Sequence, residues 1–227
     1  MNTWIAPRER NPLDHSRTTA AANSQRLQEA GTSALCFVGG PGCGKTTLIN
    51  RSMQALATTV RSRVISCGAG SAPDVERVAQ HDTTAIHISL GGRQCPEACA
   101  ISDALDQIDL PATDLLLIEN VGTLNIVPLG IGQQANVVVF SVAGGHDQAA
   151  KHPALTRAAD AIVLNKTDLL PFVPFDCDHF RRVVNELNPK VRFFELSSLE
   201  GSGFQDWLTW LAPRPKATHR GVSQWFG

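Results

Sequence analysis

The chain has 227 residues and a formal net charge of −1. That is room for one large domain or two small ones, without the basic field a nucleic-acid partner requires. No apolar run is long enough to span a membrane, and the N-terminus lacks a charged-then-apolar signal pattern, so the expected location is the cytoplasm. In that compartment the six cysteines (Cys36, Cys43, Cys67, Cys95, Cys99 and Cys177) are expected as free thiols or metal ligands rather than as a disulfide framework.

Residues 1–22 are rich in Pro, Arg, Thr and Ala without a clear period and read as a flexible arm. A helix is predicted from Asn23 to Ala30, stopped by Gly31. The apolar run Ala34-Leu35-Cys36-Phe37-Val38 predicts a buried parallel strand, and residues 48–56 carry helical spacing. Further strands are predicted at 63–66, 84–89, 115–118, 136–141, 161–164 and 192–196. Helices are predicted from Pro73 to Ala79, from Pro96 to about Ile108, from Phe175 to Leu187 and from Gly203 to Leu211. The tail from Pro213 reads as flexible. Regular alternation without a composition break predicts one α/β domain over residues 23–212. Its central sheet is expected to be mostly parallel, with helices on both faces.

Between the first predicted strand and its helix lies Gly39-Gly40-Pro41-Gly42-Cys43-Gly44-Lys45-Thr46-Thr47, which fits the phosphate-binding loop pattern G-x-x-x-x-G-K-[ST] in the right context. Glycines let the backbone curl so that the N–H groups of Gly42, Cys43, Gly44, Lys45, Thr46 and Thr47 face phosphate oxygens, and the following helix adds the positive end of its dipole. Lys45 would reach the β- and γ-phosphates, and the Thr46 hydroxyl would hold Mg²⁺. The fold expected is therefore that of a P-loop NTPase. Ligands in such sheets sit at the carboxyl ends of strands, where two more motifs fall: Glu119-Asn120-Val121-Gly122 and Asn165-Lys166-Thr167-Asp168. The Asp168 carboxylate can accept hydrogen bonds from guanine N1–H and the exocyclic amine, while adenine would leave a buried Asp168 unpaired. The Lys166 stem would pack on the base and Asn165 would tie loops together. Ser197 and Ser198, after the last strand, are candidates to place backbone N–H groups against the base.

These residues together resemble the nickel-insertion GTPases of hydrogenase maturation, the HypB family, relatives of the urease-accessory GTPase. The resemblance covers about residues 23–211. It is carried by Asn23, Arg26 and Gly31, by Pro41 to Leu48, by Ile118 to Leu124, by Leu164 to Pro171, by Phe175-Asp176, by Asn188-Pro189 and by Trp207 to Leu211. It implies a protein that binds GTP and GDP, hydrolyses GTP with Mg²⁺ and forms a nucleotide-sensitive homodimer. Such a protein works with other maturation factors to load nickel into an apo-metalloenzyme. Lys45, Thr46 and Glu119 would carry the hydrolysis, with Thr46 and Glu119 as magnesium ligands or water-shell partners. Glu119 and Gly122 would sense the γ-phosphate.

Three departures bear on that expectation. The family's Gly-Asp pair after the second strand is replaced by Ser66-Cys67-Gly68-Ala69, so slow turnover is expected, with Asp74 a candidate substitute acid. Gln94 and Cys95 stand where the family has its Cys-His metal pair, and Ile126 stands where it has a further Cys. Cys95 and Cys99, across the first turn of a helix starting at Pro96, are candidate Ni²⁺ or Zn²⁺ ligands with a lowered thiol pKa, and Cys67 is a third. The bland alternative, two small, partly buried cysteines, carries more weight, because two ligands fall short of the usual three or four unless a symmetric dimer doubles them. The seven histidines are scattered, with no close pair, so surface or core roles are expected for them. Two functions stay open: a slow GTPase metallochaperone, and a hydrolysis-poor, metal-free nucleotide-binding scaffold acting through protein partners. An ATP-dependent small-molecule kinase is a third, excluded if guanine nucleotides bind and adenine nucleotides do not.

Overall fold

The computed structural model describes residues 3–5, 13–68, 85–91, 96–120 and 130–212. Among the described residues eight strands form one sheet: β1 (Thr3–Ile5), β2 (Ser33–Gly39), β3 (Ser62–Gly68), β4 (Ala85–Ser89), β5 (Leu115–Asn120), β6 (Ala135–Ser141), β7 (Ala161–Asn165) and β8 (Arg192–Glu195). Their order is β1-β4-β3-β5-β2-β6-β7-β8, and every pairing is parallel. Parallel neighbours need crossover connections, supplied among the described residues by helices α1 (Leu13–Ala30), α2 (Lys45–Leu56), α3 (Ala98–Leu105), α4 (Gln148–Lys151), α5 (Pro153–Arg157) and α6 (Cys177–Leu187). A last helix, α7 (Phe204–Leu211), follows β8.

Alternation along the strands divides the core into two layers. Cys36, Ile65, Ile118, Val138 and Leu164 face Leu27 of α1, Ile101 of α3 and Phe180 of α6. Phe37, Val64, Leu117, Val139 and Val163 face Leu48 and Ile49 of α2 and Trp207 and Leu211 of α7. Both faces are thus covered, which is why the central strands are continuous apolar runs rather than alternating ones. β2 lies between β5 and β6: β3, β4 and β5 build out to one side and β6, β7 and β8 to the other. The crevice this reversal opens lies at the carboxyl end of β2. No helix among the described residues is long and apolar enough to cross a membrane.

The N-terminal part departs from the sequence reading. Residues 3–5, expected within a flexible arm, pair with β4 at the sheet edge, Trp4 lying opposite His87. Helix α1 starts at Leu13, ten residues before its predicted start. Its inner face includes Ala20, Asn23 and Leu27, all buried, and the polar Asn23 breaks the apolar period that would have revealed the helix. The Asn23 carboxamide donates to the carbonyls of Ala98 (2.9 Å) and Ile131 (3.1 Å), which ties α1 to α3 and to the segment before β6. The chain passes so close there that a Cβ on Gly132, itself at φ +106°, would stand 2.6 Å from that of Asn23. The short helices α4 and α5 escaped the sequence reading, α5 opening with Pro153 at its first turn. The helix predicted from Pro73 and the C-terminal tail lie outside the described residues.

Helix α7 fixes the far end of the site. Trp207 is fully buried, edge-on to Phe37 at 6.0 Å and stacked on Trp210 at 5.5 Å. Its indole N–H donates to Ser52 Oγ on α2 at 2.8 Å, and that hydroxyl donates to Leu48 O at 2.6 Å. Ser52→Ala leaves the indole donor buried without its acceptor, a loss of about 1–3 kcal/mol. Denaturant unfolding followed by tryptophan fluorescence measures it, and a midpoint equal to the parent's would remove this bond from the stabilising set.

Candidate nucleotide and metal sites

The phosphate loop joins β2 to α2 at the centre of the sheet. Gly42 and Gly44 adopt left-handed backbone (φ +71° and +95°), so successive peptide groups turn inward. Gly44 is required twice over, since a Cβ there would also stand 2.4 Å from Asn165 Nδ2. Lys45 opens α2 and is buried, its Nζ donating to the carbonyls of Gly39 (2.8 Å) and Gly40 (3.1 Å). The ammonium is therefore folded back over the loop it serves. The buried Cys43 thiol has its pKa pushed up by burial, with the neighbouring Lys45 charge opposing that shift. A raised pKa keeps this sulfur a thiol and makes it a poor nucleophile. Thr47 is exposed at the first turn of α2.

Thr46 follows Lys45, and its Oγ1 donates to Glu119 Oε1 at 2.5 Å. Glu119 comes from β5, where it lies opposite Phe37 of β2 and Ser66 of β3, and only 2% of it is exposed. Buried carboxylates are costly unless paired, and this one meets a hydroxyl at the mouth of the phosphate loop. An alcohol and a carboxylate oxygen side by side are the hard donors that Mg²⁺ prefers, so the residues present fit that ion. Gly122 and Asp74 lie outside the described residues.

The guanine motif sits at the end of β7. Asn165, 1% exposed, is the junction of three loops. Its Nδ2 donates to Cys43 O of the phosphate loop at 3.0 Å, and its Oδ1 accepts from the backbone N–H of Lys166 (2.8 Å) and of Ser198 (3.0 Å). Lys166 has φ +62°, the one non-glycine with positive φ among the described residues. Such a conformation persists only where its surroundings hold it, as the Asn165 bonds do here. Asp168 is half-buried rather than buried, and its Oδ1 accepts from Ser197 Oγ at 2.5 Å. Ser197 Oγ in turn accepts from the N–H groups of Leu199 and Glu200, so the loop after β8 is braced on the motif.

One residue of this arrangement was missed from sequence. Arg51, on the outer part of α2, donates to the carbonyls of Ser198 (2.7 Å) and Leu199, and its guanidinium lies 5.8 Å from the Phe204 ring centroid. It clamps the loop after β8 onto the phosphate-loop helix. No motif marks it, and an arginine on a helix ordinarily reads as a solvated face.

The thiols are arranged differently from the expectation. α3 begins at Ala98, with Glu97 at its N-cap, so the helix starts two residues later than Pro96. The Cys99 thiol donates to Glu97 Oε2 at 3.5 Å. Its pKa is raised, first by burial and then by the hydrogen bond and charge of Glu97, which corrects the expected lowering. Cys67 is fully buried among the apolar residues of the α1 and α3 face. Cys95 lies outside the described residues. No group of three or more His, Cys, Asp or Glu side chains is placed to hold a metal ion among the described residues. The histidines depart from their scatter in sequence, because His146 and His179 are brought together with ring centroids 5.3 Å apart.

With this geometry in place, the chain can be set beside known proteins. Residues 33–195 match the model of the CobW/HypB/UreG nucleotide-binding domain. The chain is 33% identical over 201 residues to the hydrogenase maturation factor HypB of Escherichia coli K12, covering 88% of this chain and 69% of that one. It is 33% identical over 196 residues to the probable HypB of Methanocaldococcus jannaschii, covering 83% and 87%. Among solved structures, HypB of Archaeoglobus fulgidus superposes with a TM-score of 0.82 at 34% identity, covering 88% of this chain and 98% of that one. HypB of Helicobacter pylori in complex with nickel superposes with a TM-score of 0.81 at 25% identity, covering 92% and 100%.

Proposed function

Because the chain belongs to the CobW/HypB/UreG family of nucleotide-binding domains, we propose that it is a slow, Mg²⁺-dependent GTPase that assists nickel insertion during [NiFe]-hydrogenase maturation. The observation that carries this reading is the Asn165 junction, which holds the phosphate loop, the guanine motif and the loop after β8 as one unit. In the proposed complex the inward backbone N–H groups from Gly42 to Thr47 and the α2 dipole bind the phosphates. Lys45 exchanges its two loop carbonyls for phosphate oxygens, a swap of acceptors that keeps the buried ammonium paired. Asp168 accepts from the guanine edge and Lys166 covers the base; the Ser197-Ser198 loop, expected from sequence to offer its N–H groups to the base, instead has them engaged by Ser202 O (3.0 Å) and Asn165 Oδ1 (3.0 Å) and serves as a brace for Asp168. Thr46 and Glu119 hold Mg²⁺, which when bound neutralises charge on the β- and γ-phosphates. No side chain among the described residues is assigned as general base, so positioning and electrostatics carry the rate. Loss of the γ-phosphate would change what Glu119 meets at the phosphate loop, which biases homodimerisation or docking to maturation partners and an apo-metalloenzyme client. The proposed location is the cytoplasm.

The test is phosphate release from GTP as a function of Mg²⁺, for the parent and for Glu119→Gln. The amide keeps an oxygen for Thr46 but loses the charge. It is expected to raise the Mg²⁺ requirement for turnover roughly 10- to 100-fold while GDP affinity stays within a few-fold. An unchanged Mg²⁺ requirement would remove Glu119 from the ion's surroundings. Absence of any Mg²⁺-dependent turnover in the parent, as monomer or dimer, would favour the second reading, a metal-free nucleotide-binding scaffold. That reading draws on the raised pKa of the Cys99 thiol and the apolar burial of Cys67, both unfavourable to thiolate ligation.

A further inference from the structure

β6 ends at Ser141, and a 3-10 turn (Val142–Gly144) leads into Gly145, whose φ of +89° turns the chain out to His146. From the other side, Asp176 caps α6 by accepting the His179 N–H at 2.8 Å, which sets His179 in the first turn of that helix. The two imidazoles meet with centroids 5.3 Å apart and planes at 77°. Phe175 packs edge-on against His146 at 6.3 Å and is itself seated on the buried Phe180. One ring is exposed and the other half-buried, so both are backed by protein and open to solvent. The Asp176 carboxylate lies within electrostatic reach of both rings, while the nearby Asp147 is engaged by Lys151 at 2.6 Å.

We infer that His146 and His179 form a two-imidazole site for a borderline divalent transition ion of the Ni²⁺ and Zn²⁺ class. Two imidazoles bound to one tetrahedral ion at about 2.0–2.1 Å have their ring centroids about 5 Å apart, close to the observed separation, and the ion would draw one nitrogen of each ring toward a common point. Imidazole is the ligand type suited to these ions. Water completes the coordination, and Asp176 supplies outer-sphere charge and holds α6, hence His179, in place. With two protein ligands the site exchanges its ion readily, as a carrier or acceptor position does, rather than retaining it as a structural zinc would. The site uses neither the thiols Cys67, Cys95 and Cys99 nor the Thr46–Glu119 pair, so it stands whether or not the GTPase reading does.

The test is calorimetric titration of the reduced full chain with Ni²⁺ and with Zn²⁺. The panel is the parent, His146→Gln, His179→Gln, the double His variant and Cys95→Ala/Cys99→Ala. GDP binding, measured on each, reports that the fold is intact. The expected result is that each single His variant weakens one binding event at least tenfold. The double variant should abolish that event, and the cysteine variant should keep it. Bound Ni²⁺ should also broaden the imidazole proton resonances of His146 and His179 before any others. Equal metal uptake by the parent and the double His variant, or Ni²⁺ broadening centred on other residues, would overturn the assignment and leave the imidazole contact as packing alone.

Discussion

Asp168→Asn is expected to weaken GDP and GTP binding about 10²- to 10⁴-fold, because two charge-assisted hydrogen bonds to the guanine edge are lost at about 1.5–3 kcal/mol each. The amide also turns a donor toward the guanine amine, so the site becomes repulsive to the base it is built for. Xanthine nucleotides, which offer a carbonyl where guanine offers the amine, should recover much of the loss. Folding should change little, since Asp168 is half-buried and its partner Ser197 Oγ keeps the backbone N–H bonds from Leu199 and Glu200. Competition of GDP, XDP and ADP against a fluorescent guanine nucleotide decides the matter. GDP affinity within a few-fold of the parent would show that this carboxylate does not read the base.

Asn165→Ala should damage both stability and binding. The substitution removes the acceptor of the Lys166 and Ser198 N–H groups and the donor to Cys43 O, in a place where Asn165 itself is 1% exposed. Each buried group left unsatisfied costs about 1–3 kcal/mol, so a loss on the order of 3–5 kcal/mol is expected, against a typical total of about 5–15 kcal/mol. Lys166 loses the bond that holds its left-handed backbone, and the phosphate and base loops become independent of one another. Saturating GDP should restore less than the full difference in thermal midpoint, since the ligand then also has to order the loops it binds. A thermal midpoint equal to the parent's, with and without GDP, would show that the three loops are held together by something else.

Much of this was legible in the amino-acid sequence, and the reasons are physical. β2, β5, β6 and β7 are buried on both faces, so they advertise themselves as unbroken apolar runs. The phosphate loop has a fixed spacing because backbone curvature demands it. Other features escaped for equally definite reasons. Asn23 is a polar residue on the inner face of α1 whose amide N–H groups reach two distant carbonyls, and no local pattern can announce such partners. The three residues of β1 acquire their strand character only by pairing with β4. Arg51 became part of the site because α2 and the loop after β8 pack together, and His146 meets His179 because β6 and α6 do. The Cys99 expectation failed because burial, and after it the adjacent Glu97 carboxylate, outweighed the helix terminus, neither of which the sequence pattern displays.

The bonds that complete the nucleotide site join residues far apart in the chain. Asn165 reaches back 122 residues to Cys43, and Trp207 reaches back 155 residues to Ser52. Chains emerge from the ribosome N-terminal end first at about 5–20 residues per second. The phosphate loop therefore exists for many seconds before the residues that clamp it have been made. A nascent chain stalled before β7 would carry the Gly-Lys-Thr sequence without the latch that shapes it, and one stalled before α7 would lack the anchor of α2. Such long-range closure also makes refolding slow. Guanine nucleotide added during refolding would then act late, by trapping molecules that have already brought their two ends together.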